Sequence, residues 1–190
     1  KWFFLREVME GRARLTQQWV ERFLACTTCE LCNVRCPLQL PIEHDWSLMR
    51  GELIHKQGKM TFPPFEVMRA ALKNQRNIWA SYARDRAAWL PQELKGKIKE
   101  RAEVAYFAGC TASFVEQDVA RGTAHLLDAA GVEFTTMGSD EACCGLPMLV
   151  AGKWDAFADI VRHNIAGMKA RGVRTVVTSC PACWLSWHTY

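Results

Sequence analysis

After position 100 the chain places five cysteines as Cys110-x32-Cys143-Cys144-x35-Cys180-x2-Cys183, with Gly145 after the doublet and Pro181 inside the last pair. A zinc ion takes four ligands, commonly as two separated short pairs, so five thiols with an adjacent doublet overfill a tetrahedral site. Whatever these residues hold must accept five thiolates. An odd total of nine cysteines at such spacings also argues against disulfide staples and for a reducing compartment, which points to the cytoplasm.

The other four cysteines form Cys26-x2-Cys29-x2-Cys32-x3-Cys36-Pro37, the run by which bacterial ferredoxins hold [4Fe-4S] cubanes. In two-cluster ferredoxins the cysteine before proline ligates the other cluster. No second run of this kind occurs in the 190 residues. Two assignments therefore stand. Either Cys26, Cys29 and Cys32 hold one cubane whose fourth thiolate comes from elsewhere, with Cys36 serving a second cluster, or all four hold a single cubane. The chain starts at Lys1 and stops at Tyr190 a few residues into a helical pattern. The expectation is an internal fragment whose preceding part carries the partner run.

A hydrophobic content of 49% suffices for a real core. The 24 basic and 20 acidic residues, spread evenly for a net +4, leave no basic stripe for nucleic acid. No apolar run approaches the roughly 18 residues of a membrane span. The expected fold is α+β / α/β. A helical ferredoxin-type domain occupies 1–60, a helical connector 61–102, and a Rossmann-like, cysteine-rich α/β domain, truncated at its C-terminus, 103–190.

Within this frame, Trp19, Val20, Phe23 and Leu24 repeat at helical spacing just before Cys26, which reads as a core stripe. Leu48–Leu53 suggests a short helix. Pro63-Pro64 opens a helical pattern from Phe65 to about Trp89, ended by Pro91, with Met68, Leu72, Trp79 and Tyr82 as packing residues. From Glu103 onward strands and helices alternate: strands at 104–108, 132–137 and 175–179, and helices at 113–130 and 153–171 stopped by Gly131 and Gly172. Each cysteine group then follows a strand's C-terminal end, where such sheets keep their ligand sites. Gly109, Gly145 and the Thr111-Ala112 step would let backbone N–H groups approach the sulfurs, and a helix beginning near Ala112 would point its positive end at an anionic group.

A ferredoxin run followed by this five-cysteine pattern resembles the iron–sulfur subunits of heterodisulfide reductases, whose cysteine-rich module is the CCG domain. Leu-Arg-Glu-Val-Met-Glu-Gly (5–11), Cys-Thr-Thr-Cys-Glu-Leu-Cys (26–32) and Leu-Val-Ala-Gly-Lys-Trp-Asp (149–155) are most similar to the K subunits of the sulfite-reduction-associated Dsr membrane complexes. The resemblance implies that Cys110, Cys143, Cys144, Cys180 and Cys183 hold a non-cubane [4Fe-4S] cluster where a disulfide or trisulfide is reductively cleaved, with cubanes passing the electrons. It further implies a membrane quinol-oxidising cytochrome b-type partner, other subunits of a redox complex, and a location on the inner face of the cytoplasmic membrane. A small sulfur-carrier protein bearing two cysteines is the implied substrate. The family often repeats the CCG motif, which occurs once here.

CCG domains also occur in iron–sulfur subunits of flavin-dependent glycolate or lactate oxidation, where the cluster only relays electrons. A purely structural metal module is the non-redox alternative. The histidines read as surface or core residues (His44, His55, His125, His163), with His188, just after Cys183, kept as a candidate proton donor.

Overall fold

The computed structural model describes residues 2–59 and 61–189. Lys1, Met60 and Tyr190 lie outside it, and with them the expected domain limits at 1, 60 and 190. In chain order the helices are α1 (Trp2–Met9), α2 (Gln17–Leu24), α3 (Leu31–Arg35), α4 (Ile42–Gly51), α5 (Pro63–Gln75), α6 (Gly109–Phe114), α7 (Gln117–Ala129), α8 (Leu146–Val150), α9 (Trp154–Ala170) and α10 (Pro181–Thr189). The strands are β1 (Val104–Phe107), β2 (Phe134–Thr135) and β3 (Thr175–Thr178). The chain is thus a mostly helical α+β / α/β protein with one small parallel sheet. Among the described residues, no helix is long and apolar enough to cross a membrane.

Two compact units divide the chain. One takes the residues up to Glu66 together with Pro147–Asp155, the other Val67–Leu146 with the residues from Ala156 on.

The first unit is helical. Val20, Phe23 and Leu24 on one face of α2 are buried with Leu5, Trp46, Leu53 and Ile54, as a 3.6-residue stripe requires. α4 starts at Ile42, earlier than the expected short helix, and passes into a π-helical turn at Glu52–Lys56. Its Arg50 is 2% exposed and caps the end of α2. The guanidinium donates to the carbonyls of Phe23 (3.1 Å), Leu24 (3.4 Å) and Cys26 (2.6 Å), and to that of Val150 (2.7 Å). Terminal helix carbonyls have no partners within the helix, and a cation at this end also complements the helix dipole. Arg50→Met is expected to lower stability by about 3 kcal/mol, because buried acceptors left unpaired cost roughly 1–3 kcal/mol each. The denaturation midpoint measures this, and an unchanged midpoint would deny Arg50 its role.

In the second unit the strand order is β2-β1-β3, all parallel. Central β1 buries Ala105, Tyr106 and Phe107 completely, as a strand covered on both faces must. Trp89, Leu94, Ala120, Ala124 and Phe134 complete that core.

Four readings of the sequence need correction here. The helical pattern expected to reach Trp89 ends at Gln75, where Arg76 adopts φ +56°. The fully buried Asn77 then closes a turn, accepting from the N–H groups of Trp79 and Ser81 and donating to the carbonyls of Gln75 and Ser81. A side chain that satisfies the backbone locally competes with helix. Trp79 and Tyr82 are consequently exposed, whereas Leu72 is buried. The expected helix at 113–130 is two helices, α6 and α7, parted at Val115 and Glu116. The strand expected at 132–137 pairs only at Phe134 and Thr135.

Candidate functional site

Because all three strands are parallel, their C-terminal ends share one edge. A sheet ordered 2-1-3 has its topological switch point there, between β1 and β3, where the two chains leave in opposite directions. Cys110 follows β1 and Cys180 and Cys183 follow β3, so they meet at this point. The doublet Cys143-Cys144 arrives on the loop after β2.

The five thiols form one connected line, Cys110 to Cys143 to Cys144 to Cys183 to Cys180, joined by thiol hydrogen bonds. All but the half-buried Cys180 are buried. Hydrogen bonds from neighbouring thiols, Cys143 first, hold Cys144 down to about 5, and the bond from Cys183 holds Cys180 down to about 5. Cys183 donates to both and is pushed up by those bonds and by burial. Cys143 is favoured as a thiolate by its bond with Cys110, but its bond to Cys144 and its burial outweigh this and push it up to about 12. Cys110 is raised by its bond with Cys143 and by burial.

Backbone N–H groups are aimed at the same sulfurs: Gly145 at Cys143 (3.5 Å), Leu146 at Cys144, Ala182 and Cys183 at Cys180, and Ile78 at Cys110. Such donors favour the charged thiolate. Gly109 and Gly145 leave the space expected of them. Both have positive φ, +75° and +87°, and a Cβ on Gly109 would stand 2.8 Å from the Cys183 sulfur. α6 starts at Gly109, ahead of the expected start near Ala112, so Cys110 lies in its first turn rather than before it. Among the described residues, no group of three or more His, Cys, Asp or Glu side chains is arranged to hold a single metal ion. A line of thiols around a glycine-lined space, with N–H donors directed at sulfur, fits a multi-iron anion better than a lone cation.

Polar side chains that carry no cysteine-like signature hold this arrangement. Asn164 accepts from the Ala142 N–H (3.0 Å) and donates to the Cys143 carbonyl (2.8 Å), and Ser186 donates to the Cys144 carbonyl (2.7 Å). Glu141 and Arg86 form a buried ion pair at 2.9 Å. Burial raises the Glu141 carboxyl, offset in part by Arg86 and by the amides of Gly109 and Ala108. Glu141 stands two residues before the doublet, where its only sequence signal is a charge close to an apolar stretch, and nothing in the sequence separates Arg86 or Asn164 from surface residues. A cavity of about 120 Å³ beside Cys144 is lined by Val161, Asn164, Ile165, Ser186 and Trp187. His188 stacks on the exposed Trp184, with ring centroids 4.7 Å apart, and lines a separate cavity with Val173, Val176 and Thr178.

The second candidate site lies in the helical unit. Cys26 follows α2, Cys29 lies in the loop, Cys32 is in α3 and Cys36 caps its end. Thr28 and Glu30 take left-handed φ values of +54° and +58°. The Leu31 N–H and the Thr27 side chain hold Cys29 below its ordinary value. Cys29 and Cys32 are exposed. Among the described residues no thiol–thiol hydrogen bond links these four. Left-handed steps that turn successive N–H groups to one side form anion-binding nests common at iron–sulfur sites, so the backbone here also fits thiolate ligation.

Comparison with known proteins agrees with this geometry. Residues 104–186 match the family model for the CCG cysteine-rich domain. The D subunit of the dihydromethanophenazine:CoB–CoM heterodisulfide reductase from Methanosarcina acetivorans is 29% identical over 191 residues, covering 97% of this chain and 46% of that protein. The EtfAB:quinone oxidoreductase of Syntrophomonas wolfei is 31% identical over 169 residues, covering 82% of this chain and 23% of that protein. FadF of Bacillus subtilis, a probable iron–sulfur-binding oxidoreductase, is 27% identical over 173 residues, 85% of this chain and 24% of its own length. The chain thus spans about half the length of the heterodisulfide reductase relative and less of the others. No solved structure matches it. Residues 104–186 are a CCG cysteine-rich domain, and the chain as a whole belongs to the iron–sulfur proteins of the heterodisulfide reductase family.

Proposed function

We propose that this chain is the iron–sulfur core of a redox subunit that reduces a disulfide or trisulfide. Cys26, Cys29 and Cys32, with either Cys36 or a thiolate from outside these residues, hold a [4Fe-4S] cubane. Cys110, Cys143, Cys144, Cys180 and Cys183 hold a non-cubane [4Fe-4S] cluster. When bound, these groups supply single electrons and a sulfur-seeking iron face, the chemistry that two-electron cleavage of an S–S bond calls for. The observation that carries this reading is the unbroken line of five thiols at the switch point, with amide N–H groups directed at the sulfurs.

The chain's own residues divide the remaining work. Asn164 and Ser186 fix the doublet loop, and the cavity beside Cys144 leaves space next to one thiol. Exposed Leu31, Val34 and Leu38 flank the ferredoxin-type run, an apolar surface on which a redox partner would dock. We infer partners of the Dsr type: a quinol-oxidising cytochrome b-type subunit that brings the protein to the inner face of the cytoplasmic membrane, and a small cysteine-bearing sulfur carrier as substrate. Similarity to the EtfAB:quinone oxidoreductase favours a second reading, in which both clusters only relay electrons from a flavin-linked dehydrogenase.

Anaerobic purification of the intact protein with iron and sulfide counts and EPR tests the shared part of both readings. Cys29→Ser is expected to remove one cubane signal and leave the five-cysteine site loaded. Absence of iron, or loss of every signal together, would sink the two-site assignment.

A further inference from the structure

We propose that Arg86, held by Glu141, is a positioning residue that sets the reduction potential of the group bound by the five cysteines. This inference rests on the function proposed above. Arg86 is 1% exposed and Glu141 3%. One guanidinium nitrogen of Arg86 donates to Glu141 (2.9 Å), while the other donates to the Arg76 carbonyl (3.0 Å) and lies 3.6 Å from the Cys110 sulfur. The Phe114 ring covers the guanidinium at 5.2 Å. Glu141 accepts the N–H of Ala108 (3.1 Å) and that of Gly109 (2.9 Å). The pair therefore ties the two residues before Cys110 and reaches the Cys110 sulfur itself.

Stability alone is a poor reason for this arrangement. Taking two full charges out of water costs more than their attraction often returns, and apolar residues of similar volume frequently do as well. Neutral side chains serve to hold backbone at the neighbouring loop, as Asn164 does at the doublet. What a neutral side chain cannot supply is a permanent positive charge at a ligand sulfur in a site screened from water. Net charge and hydrogen bonds to sulfur are the main controls on iron–sulfur potentials. A cation beside Cys110 favours the more negative, reduced form and raises the potential, and the Glu141 carboxylate tempers that effect.

The two partners should therefore act in opposite directions, which a merely structural pair would not do. The test is an EPR-monitored redox titration of the intact, anaerobically purified protein, following the signal that is absent from C144S, with iron counts alongside. R86M is expected to shift the one-electron equilibrium at least tenfold toward the oxidised form, a fall of about 59 mV. E141Q should shift it the other way by about threefold or more, and R86K should stay within about threefold of wild type. Equal potentials in loaded R86M and wild type, or shifts of R86M and E141Q in the same direction, would overturn the proposal. So would loss of iron from both R86K and R86M, which would make Arg86 a packing residue. If E141Q alone fails to load, the contrast of R86M with R86K decides. A wild-type protein with no iron dependent on Cys144 would instead defeat the functional reading, and this proposal with it.

Discussion

Turnover on a disulfide substrate is expected to fall by about 100-fold or more in Cys144→Ser, while the cubane signal of the ferredoxin-type run stays as in wild type. Residues that merely support a metal ligand cost 10- to 100-fold when changed, so a ligand itself should cost at least the upper end of that range. Cys144 is the most strongly held thiolate of the line, with Cys143, Cys183 and the Leu146 N–H all directed at it. A serine hydroxyl is far less acidic and a harder donor, and does not replace it. The same residue separates cleavage from relay. A cleaving site needs an iron open to an incoming thiolate, whereas a relay needs none. Added thiol should therefore perturb the EPR signal of the oxidised five-cysteine site in wild type and fail to do so in Cys144→Ser. A wild-type signal that ignores thiols, with electron transfer intact, would support the flavin-linked relay instead.

Gly109→Ala should cost about 2–3 kcal/mol and strip iron from the same site. Part of the cost is the left-handed backbone, φ +75°, which disfavours a side chain by about 1–2 kcal/mol. The rest is specific, because the new methyl would lie 2.8 Å from the Cys183 sulfur, closer than packed atoms tolerate. The loop has little freedom to retreat, since the Gly109 N–H is bound to Glu141. Gly131→Ala is the matched control: its φ is +68°, yet nothing lies within 4 Å of the added carbon. It should lose only the backbone contribution, about 1 kcal/mol, and keep full iron. Thermal melts of the two variants with iron counts make the comparison, and a Gly109→Ala protein with wild-type iron and an unchanged EPR line shape would refute the close-approach argument.

Much of the site was legible from cysteine spacing, because clusters demand thiolates at short and repeatable intervals whatever the surrounding fold. Cys110, Cys143, Cys144, Cys180 and Cys183 could be grouped without coordinates, since each follows a strand in an α/β pattern and parallel strands end on one edge. The stops at Gly131 and Gly172 were equally plain, because left-handed C-terminal caps select glycine. Helix extent between 65 and 89 was not legible. There the apolar period continues through Trp79 and Tyr82, but a single buried asparagine, Asn77, satisfies the backbone in a turn and cancels it.

By itself, then, the sequence determined which atoms could bind iron and, through strand order along the chain, that they would face one another. Only the tertiary structure decided what surrounds them. Arg86 and Asn164 come from stretches far along the chain from the cysteines they serve, and Arg50 stands 24 residues from the Cys26 carbonyl it holds. Their roles arise from burial and hydrogen-bond partners brought together by folding, and neither residue type nor spacing carries that information.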